Sequence, residues 1–264
     1  MPEALPGAVQ SRTDFVQRCV SLPHSVSRTL QRSERVACQG RGGDRVMVIA
    51  DGGAALRLAG PQPRRGVLEV LGPGRMVSAL SPTFPQGPTT HCELEALEPT
   101  RVISIGREAF RGELRRDPDF AIAMADALHH QHAALVTRLS AMQLLGPEER
   151  TAATVAGLAR EFVHRCPLST GFTMPVSQQL VADLTGLSRQ TVNRALTRLR
   201  LARLVFSSRG FICALDLAGL DAVAWAGVPL ATCTPVGWCK LLQPDQRLDC
   251  NSAGRMRART PSNR

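Results

Sequence analysis

Between residues 25 and 110 the apolar positions come in short runs broken by glycine and proline. Arg45 to Ile49, Ala54 to Leu58, Val67 to Leu71, Glu93 to Leu97 and Val102 to Ile105 each read as a strand. Turns fall at Asp51-Gly52-Gly53, Pro61-Gln62-Pro63 and Gly72-Pro73-Gly74. Many short strands at regular spacing predict a barrel or jelly roll. The period then changes. Glu108 to Arg116 reads as a short helical link. Asp117-Pro118 opens a long helix, with proline at a first-turn position, that runs to about Leu145. Ala121, Leu128, Leu135 and Met142 are seven apart, with Met124 and Leu139 between them. That is the seam of a short coiled coil, which predicts a pair of chains. Gly146-Pro147-Glu148 marks a hinge. Glu149 to Cys166 is a further helix, with Val155, Leu158, Ala159, Phe162 and Val163 as its apolar face.

The densest pattern lies between Pro175 and Arg200. Leu180, Val181 and Leu184 make one stripe on a helix from Ser177, a plausible N-cap, to Leu184. Gly186 follows where a left-handed residue closes a helix. Ser188 caps a second helix, Arg189 to about Arg200, buried through Val192, Ala195, Leu196 and Leu199. Its other face carries Arg189, Gln190, Asn193, Arg194, Thr197 and Arg198 with no acid among them. Arginine can donate two bonds to a guanine edge, and Gln or Asn can pair with an adenine edge. Two helices so joined form a helix-turn-helix. A charge run alone would mark only a solvated face. Here the caps, the turn glycine, two matched stripes and the donor set coincide, which points to duplex DNA.

Charge sharpens this picture. The 264-residue chain carries a net charge of +10. Between Thr173 and Cys213 there are six Arg and one Asp, so the excess is concentrated on the reader. Tyrosine is absent and aromatics are 4%, so the cores are packed with Leu, Val and Ala. The eight Cys are scattered without a C-x-x-C pair, which argues against a zinc ribbon or a ferredoxin-type cluster. No signal-like run and no apolar stretch of membrane-spanning length occurs, so a cytoplasmic protein with reduced thiols is expected.

The string QQLVADLTGLSRQTVNRALTRLR, followed by LARLVFSSRGFICALDLAGL, resembles the Crp/Fnr superfamily of bacterial transcription regulators. SRQTVNRAL is similar to that family's recognition helix, and LVF-SSRG-FICAL to its wing. More weakly, GGDRVMVIADGGAALRLAG and VLEVLGPGRMVSAL resemble the family's cyclic-nucleotide-binding β-roll, with Gly53 and Gly74 at its turn glycines. The resemblance implies an α+β chain: an N-terminal jelly-roll-like β-roll, a long dimerisation helix and a C-terminal winged helix-turn-helix. The expected divisions are a segment 1–24, loose or with one short helix around Asp14 to Cys19, the roll 25–116, the dimer helix 117–145, the reader 146–226 and a basic, mostly disordered tail 227–264. Met124, Leu128, Leu135, Leu139 and Met142 would line the dimer seam. Arg189, Gln190, Asn193 and Arg194 would touch bases, and Thr173, Ser188, Thr191, Arg198 and Arg209 would hold phosphates.

The effector pocket departs from the family pattern. Nucleotide-binding members carry a Glu for the ribose and an Arg-Ser or Arg-Thr pair for the cyclic phosphate. Here those positions fall on Ala79 and on Thr90-His91, and no Arg or Lys lies between Arg75 and Arg101. A buried phosphate without a cation is poorly compensated. Leu135 and Val136 replace hydroxyls that would meet the purine. The expectation is a pocket not gated by cyclic AMP, with no metal or cofactor. Two alternatives stay open. One is a haem, iron–sulfur or redox sensor on the same scaffold, through Cys19, Cys38, Cys92 and His91. The other is a cupin-type metalloenzyme using His91, Glu93 and Glu95. His129, His130 and His132 read as the polar edge of the seam, where paired imidazoles could also take a metal. Partners implied are double-stranded DNA, a second copy of the chain, RNA polymerase and an unidentified small effector, with no membrane.

Overall fold

The structure, a computed structural model, describes residues 6–38, 45–59, 66–78, 91–162, 164, 166, 171–228, 248–250 and 256–258. Helix α1 (Pro6–Ser21) is followed by strands β1 (Val26–Leu30), β2 (Arg35–Ala37), β3 (Arg45–Asp51), β4 (Ala54–Ala59), β5 (Gly66–Leu71), β6 (Met76–Ser78), β7 (His91–Ala96) and β8 (Thr100–Gly106). They pair antiparallel into two four-stranded sheets, in the orders β1-β8-β3-β6 and β2-β7-β4-β5. Leu30, Ile49, Leu56, Leu71, Leu94 and Val102 fill the layer between them. Strands β1, β2 and β6 have no counterpart in the sequence reading. Every residue of β1 except Leu30 is exposed, and β2 and β6 are three residues each, too short for an alternation to register.

A second core covers the outer face of the β3/β8 sheet. There α1, α2 (Arg107–Arg116) and α3 (Pro118–Leu144) bring Phe15, Phe110 and Phe120 together. Phe15 stacks on Phe120 with ring centroids 5.7 Å apart, and Phe110 meets Phe120 edge-on at 5.3 Å. The segment expected to be loose or to hold one short helix is therefore a 16-residue helix, anchored by fully buried Phe15 and Cys19. Its few apolar residues suffice because they are large and converge on a waiting aromatic site. Arg18 of α1 also donates to the Asp117 carboxylate at 2.7 Å. The other carboxylate oxygen of Asp117 caps α3, accepting from the amides of Asp119 and Phe120.

Helix α3 spans 27 residues and leads into α4 (Pro147–Glu161). The sequence expects α4 to reach Cys166, but it ends at Glu161, where Phe162 turns extended and is buried. Val163 lies outside the described residues. The reason is docking against the roll. A Cβ at Gly53 would stand 2.2 Å from the Phe162 ring, and one at Gly72 2.1 Å from the Glu161 carbonyl oxygen. The roll turns come this close only because those positions lack side chains. Beyond lie β9 (Phe172–Met174), α5 (Gln178–Thr185), α6 (Arg189–Leu201), β10 (Val205–Ser208), β11 (Phe211–Ala214) and α7 (Leu217–Trp225). The three strands form one antiparallel sheet in the order β10-β11-β9.

Residues from Trp225 onward form a separate unit. In it β12 (Leu248–Cys250) and β13 (Met256–Ala258) pair antiparallel, so the tail is not wholly without regular structure.

Candidate nucleic-acid interface

The reader is built as its sequence demands. The Ser177 hydroxyl accepts from the Leu180 amide at 3.1 Å and starts α5. Gly186 closes it in the left-handed region at φ 69°. The Ser188 hydroxyl accepts from the Thr191 amide at 3.1 Å and starts α6. Val192, Ala195, Leu196 and Leu199 are all buried, and they pin α6 against α4, itself buried at Val155, Leu158 and Ala159. Arg150 of α4 ties the hinge to α5 by donating to the carbonyls of Leu145 and Thr185, at 3.0 and 3.3 Å. The wing turns at Gly210, φ 90°, between β10 and β11.

These elements enclose an open groove of about 760 Å³. Arg189, Asn193, Thr197 and Arg200 line it from α6, Ser177, Gln178 and Gln179 from the start of α5, and Ser207 to Gly210 from the wing. Of the expected base-reading residues, Arg189 and Asn193 line this groove, whereas Gln190 and Arg194 are exposed on α6 outside its walls. Of the expected phosphate contacts, Arg209 lines it from the wing. Ser188 and Thr191 are bonded to each other at the start of α6, with their hydroxyls 2.8 Å apart. Thr173 and Arg198, also expected at phosphates, have partners within the chain. The Thr173 hydroxyl lies 3.2 Å from the Cys213 sulfur within the small sheet. Arg198 donates to Glu148 of α4 at 2.8 Å, so it braces α6 on its own protein.

Sequence reasoning missed Gln178, Gln179 and Arg200 as groove residues. Arg200 could have been found, since positions 189, 193, 197 and 200 fall on one face of a helix. Gln178 stands beside the cap of α5, where free backbone amides favour anions. Arg32, in the turn after β1, lies close to the wing, its Nη2 3.4 Å from where a Gly210 Cβ would be. No local pattern announces that approach across the chain.

Several cations in and beside the roll are held by groups of the chain itself. Arg75 donates through Nε to Glu161 at 2.8 Å, and its Nη2 pairs with the other carboxylate oxygen. Both residues are buried, and Arg12 adds a third charge 3.7 Å from Glu161. Arg57 lies 2.7 Å from Glu95 and 3.6 Å from Asp183 of α5. Arg138 donates to the Leu68 carbonyl. Beside it, Glu69 accepts from Gln131 of α3 at 2.9 Å. Burial pushes the Glu69 carboxyl up to about 7, against the downward pull of that hydrogen bond and of Arg75.

Ala79 and Thr90 of the expected effector pocket lie outside the described residues, as does the His91 side chain. Leu135 is half-buried, and Val136 is exposed on α3. The expected seam residues divide between packed and exposed positions. Met124 packs inward on the aromatic core, and Met142 lies near Gly186 of the reader. Leu128 and Leu139 remain exposed. The thiols of Cys19, Cys38 and Cys92 are buried, and burial pushes Cys19 and Cys38 up to about 12. Thiols held protonated in this way are poor nucleophiles and poor metal ligands.

Residues 27–117 match the cyclic nucleotide-binding domain, and residues 149–223 match the Crp-like helix-turn-helix domain. The chain belongs to the Crp/Fnr family of transcription regulators. It is similar to a CRP-like cAMP-activated global transcriptional regulator of Mycobacterium tuberculosis, with 28% identity over 181 residues, which cover 69% of this chain and 77% of the relative. Among solved structures it resembles a CRP/FNR-family transcriptional regulator from Thermus thermophilus, with TM-score 0.59, 21% identity, and coverage of 76% of this chain and 98% of that one. It also resembles the c-di-GMP-responsive global regulator CLP from Xanthomonas campestris, with TM-score 0.57, 20% identity, and coverage of 80% and 99%. These structural likenesses show the fold. Among the described residues no helix is long and apolar enough to cross a membrane.

Proposed function

We propose that two copies of this chain pair along α3 and place their α6 helices in successive major grooves of a near-palindromic DNA site, about 34 Å apart. The observation that carries this reading is the groove between α6, the start of α5 and the wing, in which Arg189 and Asn193 stand above polar walls. Arg189 and Asn193 read base edges, with Gln190 and Arg194 beside them on the exposed turns. Arg209, Arg200 and the α5 N-terminus hold phosphates. The chain acts as a regulator and not an enzyme, in the cytoplasm, with RNA polymerase as the downstream partner. The cupin alternative is disfavoured because Glu95 is engaged by Arg35 and Arg57.

The roll does not take cyclic AMP through the usual site. Arg57 and Arg75 of the roll and Arg138 of α3 face carboxylates or carbonyls, and residues 76–100 contain no Lys or Arg. Relatives of this fold are named for different effectors, cyclic AMP in one and c-di-GMP in another, so the fold leaves the ligand open. A haem or thiol sensor finds no support in cysteines that are buried, where burial pushes the thiols of Cys19 and Cys38 up to about 12. Random-site selection with the full chain, followed by mass measurement of the complex, tests the reading. An inverted repeat bound by two chains is expected without added nucleotide. A single asymmetric half-site bound by one chain would contradict it.

A further inference from the structure

Helix α3 packs on its own protein through Phe120, Met124, Ala127, Gln131, Arg138 and Ala141. At 100° per residue, the line directly opposite runs through Ile122, Ala125, His129, His132, Val136 and Leu139. All six are exposed, with Ile122 at 60%, Val136 at 46% and Leu139 at 54%. Ile122, His129 and Val136 repeat at seven residues, and Ala125, His132 and Leu139 repeat likewise in between. This is an a/d register, and it lies about 80–100° around the helix from the line through Leu128, Leu135 and Met142. It moves His129 and His132 from the edge of the seam to its centre.

Two polar layers in the middle of an apolar seam weaken a dimer unless something satisfies them. His129 and His132 are three residues apart, so they lie on one face about 4.5 Å apart along the axis. A two-fold axis through the seam adds the same pair from the other copy. Among the described residues, one chain by itself offers no group of three or more metal-binding side chains. Two chains offer four imidazoles in two adjacent layers, about 4.5 Å apart along the axis. His130 lies outside this set. It is half-buried on the packed side, with its ring edge-on to His129 at 5.9 Å.

We propose that the paired chains hold one divalent transition-metal ion of the zinc, nickel or copper type between His129 and His132 of each copy. Neutral imidazole nitrogens suit these ions, and around zinc four of them make a closed tetrahedral set with metal–nitrogen distances of about 2.0–2.1 Å. A site closed in this way locks the seam and contributes to folding and assembly rather than to chemistry. The proposal rests on the pairing along α3 proposed above.

The test uses the full chain, stripped with a chelator and titrated with Zn²⁺ and separately with Co²⁺, with oligomeric state measured by light scattering. One ion per two chains is expected, with visible absorption of tetrahedral Co²⁺. His129→Asn and His132→Asn should each weaken binding by about tenfold or more, while His130→Asn leaves it unchanged. Asparagine is tolerated at a buried seam position, so these variants should remain dimers. The Co²⁺ spectrum and stoichiometry of the unaltered chain test the site without any variant. A dimer that binds no ion, binds one per chain, or binds equally well without His129 and His132 overturns the metal site alone. A chain that stays monomeric at all concentrations overturns both the site and the pairing.

Discussion

The reader and the roll hold their polar residues in opposite ways. On α6 the donors stand on the exposed side of a 13-residue helix and face open solvent. At the roll, Arg75 is buried and spent on the Glu161 carboxylate at the end of α4. Arg75 and Glu161 are 86 residues apart in sequence and share two contacts. One region keeps its hydrogen-bonding capacity for a partner, and the other uses it to fix domain position. The consequence is a separation of effects. Changes in the roll should alter stability with little change in DNA preference, and changes on α6 should do the reverse.

The largest effect should come from Arg75→Ala. It leaves the Glu161 carboxylate buried with only Arg12 nearby, at a cost of about 3 kcal/mol in urea unfolding. Replacing both partners with apolar residues, Arg75→Met with Glu161→Met, should restore much of that loss. If the double variant is as unstable as the single, the buried pair is not what holds α4 on the roll.

Glu69 gives a pH test of the same region. Its folded-state value, about 7, lies above the ordinary 4.5. Between those values the folded chain keeps a proton that the unfolded chain has lost. Stability therefore falls as pH rises from about 4.5 to about 7, by at most about 3 kcal/mol, and then levels. Glu69→Gln should flatten this slope and be the more stable protein at pH 8. Identical pH profiles for the two would remove Glu69 as the cause.

On the reader, Asn193→Ala or Arg189→Ala should each weaken binding to a selected duplex by about 1–3 kcal/mol and relax preference at one base pair. Urea midpoints should stay within about 0.5 kcal/mol of the unaltered chain, since both side chains face solvent. Arg209→Ala should have the smallest effect. It should lower affinity for all sequences alike and reduce the slope of log affinity against log salt by about 1. A change of base preference in Arg209→Ala would place the wing in a groove instead of on the backbone.

The same contrast decides what could be read from the chain. The reader was legible because its determinants are local: Ser177, Gly186 and Ser188 are caps, and Val192, Ala195, Leu196 and Leu199 keep helical spacing. The pairing of Arg198 with Glu148 was not legible, because Glu148 lies 50 residues away on another helix. In the roll, the long strands β3, β4, β5, β7 and β8 announced themselves, whereas exposed β1 and three-residue β2 and β6 did not. Helix α1 was legible only as a short helix around Asp14 to Cys19, because it packs on Phe110 and Phe120, which lie far along the chain. The leucines drew the expected seam to Leu128, Leu135 and Met142, one position round the helix from the line proposed above. The packed face of α3, set by Phe120, Ala127 and Ala141, fixes which line is free.

The central claim is that α6 reads DNA sequence, and one paired experiment tests it most directly. Random-site selection would be run on the unaltered chain and on Asn193→Ala, at the same salt concentration. The account predicts two inverted half-sites for both proteins, with discrimination lost in the variant at one base pair in each half. An identical consensus from a folded Asn193→Ala protein, with equal discrimination at every base pair, would contradict it.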